Sequence, residues 1–187
     1  MRARAFGRNA VWAVCLCLLG GLLLPNASQA RTAEEIDASV NAALARFTNQ
    51  VRGSGDLLQT AKGVLVFAGV IKAGAGIGAE YGEGALRIGG KSVAYYSIAA
   101  ASIGLQFGAQ KKDIIIVFLE DTALRKFQAS QGWQIGVDGS VVLIDVGANA
   151  SIDTAKINQP VVGFVVGQKG LMYNLTLEGS KISKLKK

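Results

Sequence analysis

Histidine is absent from all 187 residues, and both cysteines, Cys15 and Cys17, lie within the first thirty. Beyond residue 30 the commonest general base and the thiolate nucleophile are therefore missing. Imidazole and thiolate metal sites go with them. Without disulfides, residues 31–187 must be held by a packed core, and half of the chain is apolar while only 18% is charged, so a sizeable core is within reach. No Gly-Lys-Ser/Thr phosphate loop and no Gly-x-Ser-x-Gly elbow occurs. The chain has no linker and no long low-complexity run, and its length fits one domain.

Arg2, Arg4 and Arg8 precede an apolar run from Ala10 to Leu24, and Pro25 ends it. Ser28 and Ala30 put small residues at −3 and −1 of a cleavage point before Arg31. This is the pattern of a secretory signal peptide over residues 1–30, with the alternative of an uncleaved anchor disfavoured by its length. The residues before Cys15 and Cys17 fit lipid attachment poorly. The expectation is export to the periplasm, with outer-membrane association left open. The formal charge is +7; without Arg2, Arg4 and Arg8 there are 17 basic against 13 acidic residues, or +4. Lys181, Lys184, Lys186 and Lys187 fall close together at the end. In an exported protein this favours anionic lipid over nucleic acid, with a solvated tail as the plain alternative.

Thr32 and Glu35 form a capping box, and Ile36, Val40, Ala43, Leu44, Phe47 and Val51 follow at helical spacing, up to Gly53-Ser54-Gly55. This amphipathic helix either docks on a sheet or lies in a membrane interface. A short helix over 56–62 and a buried strand from Val64 to Ile71 come next. Gly89-Gly90 turns the chain between Leu86-Arg87-Ile88 and Val93 to Tyr96. From Ser102 the alternation is clean: Ser102, Gly104, Gln106, Gly108 and Gln110 share one face, and Ile103, Leu105, Phe107 and Ala109 the other. Lys111-Lys112-Asp113 is expected to turn the chain before an apolar strand, Ile114 to Leu119. A helix with Ala123, Leu124 and Phe127 inward follows. Trp133–Val137 and Val141–Val146 read as a hairpin about Asp138-Gly139. Asn149 to Asn158 is expected to be loop, Val161–Val166 and Leu171–Leu177 a last hairpin, and Glu178 to Lys187 a short basic tail. The fold class is α+β, with a mainly antiparallel, strongly twisted sheet or partial barrel, an N-terminal amphipathic helix and one or two further short helices.

Lys72 to Leu86 is the most unusual stretch, with glycine at 74, 76, 78, 82 and 84. On a strand Gly74, Gly76 and Gly78 share a face, which implies a sharp bend, close packing, or room for an acyl chain. A dinucleotide fingerprint is excluded because Gly82 and Gly84 break any helix that would have to follow. Glu80 with Glu83, and Glu120 with Asp121, are the remaining candidates for carboxylate hydrolysis. Three residues apart on a strand, Glu80 and Glu83 should face opposite ways, and acids at 120–121 suit a helix N-terminus on electrostatic grounds alone.

Ala61-Lys62-Gly63-Val64-Leu65-Val66-Phe67, then Lys72-Ala-Gly74-x-Gly76-Ile77-Gly78-x-x-Tyr81-Gly82-x-Gly84, then Gly104-x-Gln106-x-Gly108-Ala-Gln110 with Asp113, Gly136-x-Asp138, Gly170-Leu171 and Leu177-Glu178-Gly179 resemble the SYLF domain, also called the Ysc84 actin-binding family, in its exported bacterial branch. The resemblance covers residues 33–183, so residues 31–187 form one SYLF-like domain. It departs at Ala68-Gly69, where the family often has proline, and at Ser92 to Tyr95. The resemblance implies a phospholipid-binding module, with Gly74, Gly76, Gly78, Gly82, Gly84, Gly104 and Gly108 as the family's glycine motif in a scaffold role; no cofactor and no metal are expected. It carries over no ligand residue. On charge alone, the candidate lipid contacts are Lys111, Lys112, Lys181, Lys184, Lys186 and Lys187, and no catalytic residue is assigned. The expectation is a non-enzymatic, exported protein attracted to anionic phospholipid or a membrane surface through these lysines and the apolar helix. The alternative is a structural or protein-interaction module with an envelope protein as partner.

Overall fold

In the computed structural model, residues 31–145, 152, 157–170, 177 and 179–187 are described. The signal-like segment, most of the 149–158 stretch and residues 171–176 of the last expected hairpin lie outside them. Arg31–Lys187 forms a compact unit by itself, and both hydrophobic clusters draw only on residues from Ile36 to Ile182.

Helix α1 (Ala33–Gln50) starts where the sequence places it. Thr32 Oγ1 accepts from the Glu35 N–H, and the Glu35 carboxylate accepts from the Thr32 N–H. Helix α2 (Ser54–Thr60) follows Gly53, whose φ of +82° serves the tight link. Two long strands come next, β1 (Gly63–Ile88) and β2 (Lys91–Phe118), paired antiparallel across the turn at Gly89-Gly90. No turn interrupts β2 at Lys111-Lys112-Asp113, contrary to the charge-based expectation. Lys112 and Asp113 are instead buried ladder residues, each held by an opposite charge.

Helix α3 (Asp121–Ala129) leads to β3 (Gly132–Gln134), β4 (Val142–Asp145), β5 (Val161–Gly170) and β6 (Lys181–Leu185). β3 and β4 do not pair as a hairpin. β3 pairs with β6, and β4 runs parallel to β5, at opposite ends of the sheet. The expected basic tail is a strand, inserted between β2 and β3 with Ile182 buried on Ile98 and Trp133. Among the described residues six strands thus form a mixed, mainly antiparallel half-barrel. β2 is its axis: one edge carries β1, and the other carries β5 at Gln110–Phe118 and β6 at Tyr95–Ala99.

The curl comes from β1 folding back on itself about Gly76, whose φ is +79° at a register shift between Ala75 and Ile77. The two arms then approach closely at paired positions. A Cβ on Gly74 would lie 2.5 Å from Gly78 Cα, one on Gly82 2.7 Å from Val70 Cγ2, and one on Gly84 1.9 Å from the Val66 carbonyl oxygen. Of the roles open to the glycines, sharp bending and close packing are the ones they serve.

Alternation then divides the apolar residues between two cores. Leu65, Phe67, Leu86, Ile98, Ile114, Ile116 and Phe118 fill the inside of the curl with Phe127 and Trp133. Val64, Val66, Ala85, Ile115, Val117 and Phe164 face outward onto Ile36, Val40, Ala43 and Phe47 of α1.

Gly84→Ala is expected to lower stability by about 3 kcal/mol or more, because backbone rather than a flexible side chain blocks the new methyl. Gly55→Ala, with nothing within 4 Å of the new atom, should gain about 0.5 kcal/mol. Urea denaturation of the two variants checks both signs.

Candidate functional site

Helix α1 is fixed to the sheet at both ends by charge. Near its start, Asp37 accepts hydrogen bonds from Ser92 Oγ at 2.5 Å and Tyr95 Oη at 3.0 Å, with Arg87 at 3.5 Å. Near its end, Arg46 meets Asp113 Oδ2 at 2.8 Å, while Asp113 Oδ1 accepts the Gly69 N–H at 2.8 Å. Along the face of α1 held by these clamps, Ile36, Val40, Ala43 and Phe47 are fully buried. The apolar stripe of α1 is therefore committed to the sheet and does not face outward for lipid. The docked alternative holds, because the outward face of β1, β2 and β5 offers a matching row of valines, isoleucine and phenylalanine.

The six candidate lysines do not form one cluster. Lys112 is buried inside the curl, 2.9 Å from Glu80 Oε2, with Gln110 buried close by in sequence. Glu80 Oε1 and both polar atoms of the Gln110 side chain make no hydrogen bond among the described residues. Lys187 folds back to Glu83 at 3.6 Å and to the Arg31 carbonyl, so it closes the C-terminus onto the start of α1. Lys111, Lys181, Lys184 and Lys186 are exposed, and none makes an ion pair with a described residue. Lys111 lies across Gly69 and borders a cavity of about 290 Å³ with Arg46, Gln50 and Asp113. Strand alternation puts Lys181 on the outward face, in register with Ala99, and Lys184 on the other face, in register with Tyr96.

Glu80 and Glu83 have separate partners, Lys112 inside the curl and Tyr81 with Lys187 outside it. They do not converge on one pocket, as their three-residue spacing implies. Gly104 and Gly108 lie in β2 beside the bend, Gly108 with φ +130° and in register with Gly74. A second cavity, about 400 Å³ and mostly apolar, opens between α1, α2 and the start of β1, with Leu44, Leu58, Ala61 and Val64 on its walls.

Sequence reasoning missed two features. One is the buried Lys112–Glu80 pair. The other is the exposure of Ile77 (71%) and Ile103 (87%), direct cross-strand partners at the bend. A signal for the second was present: a strand whose glycine face must approach another backbone has to turn its other face outward, however apolar that face is.

Residues 99–187 match the family model Ysc84, described as Las17-binding protein actin regulator. This stretch belongs to the Ysc84 family. No curated protein matches the chain. The Ysc84 match begins inside β2, while the folded unit begins at Arg31, because α1 and β1 complete both cores. Ysc84 domains are lipid- and actin-binding modules, compatible with a lipid-binding role. Among the described residues no helix is long and apolar enough to cross a membrane.

Removing one partner of the Lys112–Glu80 pair, as in Lys112→Met or Glu80→Gln, should cost about 3–5 kcal/mol, whereas Lys112→Met with Glu80→Leu should recover most of it. Urea titrations of the three variants test this. Burial raises the Tyr96 phenol above its usual 10.0. Burial, then the hydrogen bond to Asp37 and the charges of Asp37 and Glu34, raise Tyr95. The folded state thus holds these protons more tightly than the unfolded chain. Their contribution is fully present below pH 10.0 and is lost as pH rises past 10.0 through the raised folded values. Phenolate absorbance should develop later in the folded than in the urea-unfolded protein, and Tyr96→Phe should flatten the alkaline loss of stability.

Proposed function

We propose that this chain is an exported, non-enzymatic phospholipid-binding protein of the bacterial cell envelope, drawn to anionic lipid. The carrying observation is that Lys111, Lys181, Lys184 and Lys186 are exposed and free of acidic partners among the described residues. Each lysine near an anionic surface contributes about 1 kcal/mol, so four support loose, salt-sensitive attachment. Lys112 and Lys187 are left out, since each already neutralises a carboxylate within the fold. The Ysc84 match supports the lipid-binding class. The basic, apolar and small-residue pattern of residues 1–30 supports export to the periplasm, with the outer membrane as one surface within reach.

A second reading, a protein-interaction module of the envelope, draws on the family description, which names protein binding and actin regulation. A single stoichiometric partner captured without lipid favours it.

Residues 31–187 should co-sediment with vesicles containing phosphatidylglycerol and not with neutral phosphatidylcholine vesicles, and added salt should weaken binding. Changing Lys181, Lys184 and Lys186 to Glu should reduce binding at least on the order of 100-fold at low salt. Failure to bind either vesicle at low salt would sink the reading.

A further inference from the structure

The exposed face of the bend carries a surface that neither the lysines nor the family assignment explains. On β1, Ala73, Ala75, Ile77 and Ala79 are exposed, and on β2, Ala101 and Ile103 are exposed opposite them. Ile77 and Ile103 face each other at the crest. Elsewhere the fold buries isoleucine thoroughly: Ile36, Ile98, Ile114, Ile115 and Ile116 are fully inaccessible. A lone exposed isoleucine is ordinary, but a contiguous apolar strip on a monomer marks a contact surface.

The ends of this strip identify its occupant. At one end Ile71 is in register with exposed Lys111. At the other, Tyr81 is in register with Ala99, and Ala99 with exposed Lys181. Among the described residues no acidic side chain is exposed between them: Glu80 is turned into the curl and buried, and Glu83, beyond Tyr81, is buried against Lys187. The strip is also the convex outside of a fold-back, so it offers no groove for a partner helix or peptide. Alanine and isoleucine side chains provide no hydrogen bonds to specify one. An anionic bilayer matches every part: its acyl boundary takes the isoleucines, the headgroup level suits tyrosine, and phosphates meet the lysines at both ends. On either side of the register shift between Ala75 and Ile77, β1 and β2 pair residue by residue, from Val70 to Ala75 and from Ile77 to Leu86, so the polar backbone of those stretches that faces the neighbouring strand is already paired.

We infer that the bend of the β1–β2 hairpin, with the Ile77–Ile103 pair at its crest, is the element that penetrates the surface of an anionic phospholipid bilayer, flanked by Lys111 and Lys181. This rests on the phospholipid-binding reading above and assigns its apolar half to the bend rather than to α1. The depth is that of an interfacial element, about 5–10 Å.

Residues 31–187 contain no cysteine, so Ile103→Cys gives a unique site for an environment-sensitive fluorophore. On vesicles containing phosphatidylglycerol the label should shift to the blue and be quenched by lipids brominated on their acyl chains. A label at Gln128→Cys, on exposed helix α3, should stay aqueous. Ile77→Asp with Ile103→Asp should weaken partitioning at least about tenfold while leaving the urea midpoint nearly unchanged, because both side chains are already exposed. If the double variant binds like the parent and the label at 103 stays aqueous, the inference is overturned and the lipid-binding reading stands. If the parent itself binds no vesicle, both fail. If the parent self-associates, the double variant is monomeric and vesicle binding is equal, the crest is a contact between copies and the inference is overturned.

Discussion

Everything in this fold depends on one backbone approach: Gly84 of β1 against the carbonyl of Val66 in the same strand. A strand of 26 residues would ordinarily extend far beyond a domain of this size. Here it doubles back about Gly76, and the absence of side chains at 74, 82 and 84 lets its two arms pack against each other. The inside of that fold is where Phe67, Leu86, Tyr96, Phe118, Phe127 and Trp133 gather. The outside divides into a stretch covered by α1 and a crest that nothing described covers. Core, helix dock and exposed apolar strip are three consequences of the same bend.

Charge placement follows from this geometry. Four acids act as fasteners. Asp37 and Asp113 fix the two ends of α1 to the sheet, and Glu80 receives Lys112 across the inside of the curl. Glu83 ties the C-terminus to the same sheet through Lys187. While these acids are used internally, Lys111, Lys181, Lys184 and Lys186 stay exposed without an acidic partner among the described residues. The lipid-binding proposal draws on both features, the exposed basic side chains and the apolar crest. In the proposed lipid-binding reading, the apolar role first given to the helix passes to the bend, because α1 is docked on the sheet.

Local features were legible in the sequence to differing extents. The capping box at Thr32–Glu35, the stripe of α1, the Gly89-Gly90 turn and helix α3 each depend on residues within one or two turns of one another, and all are where periodicity puts them. The glycine run was legible as a bend or close approach because no other local need explains its spacing. The failures involve residues far apart in sequence. Lys111-Lys112-Asp113 has the composition of a turn, yet Glu80 and Arg46 neutralise it from 32 and 67 positions away. β3 and β4 flank a turn signal at Asp138-Gly139, yet each finds a better edge elsewhere, on β6 and β5.

The sequence by itself determined the α+β class, the starts of α1 and α3, the special status of the 74–84 glycines and the lack of histidine and thiol chemistry beyond residue 30, because these rest on composition and short-range periodicity. Tertiary structure alone decided which lysines are free and which are buried, that α1 is docked, and that Ile77 and Ile103 stand outside the protein. Alternation says only that two faces differ. Which face is inside is decided by the backbone contact at Gly84, which turns the glycine face inward and leaves the isoleucines to the solvent.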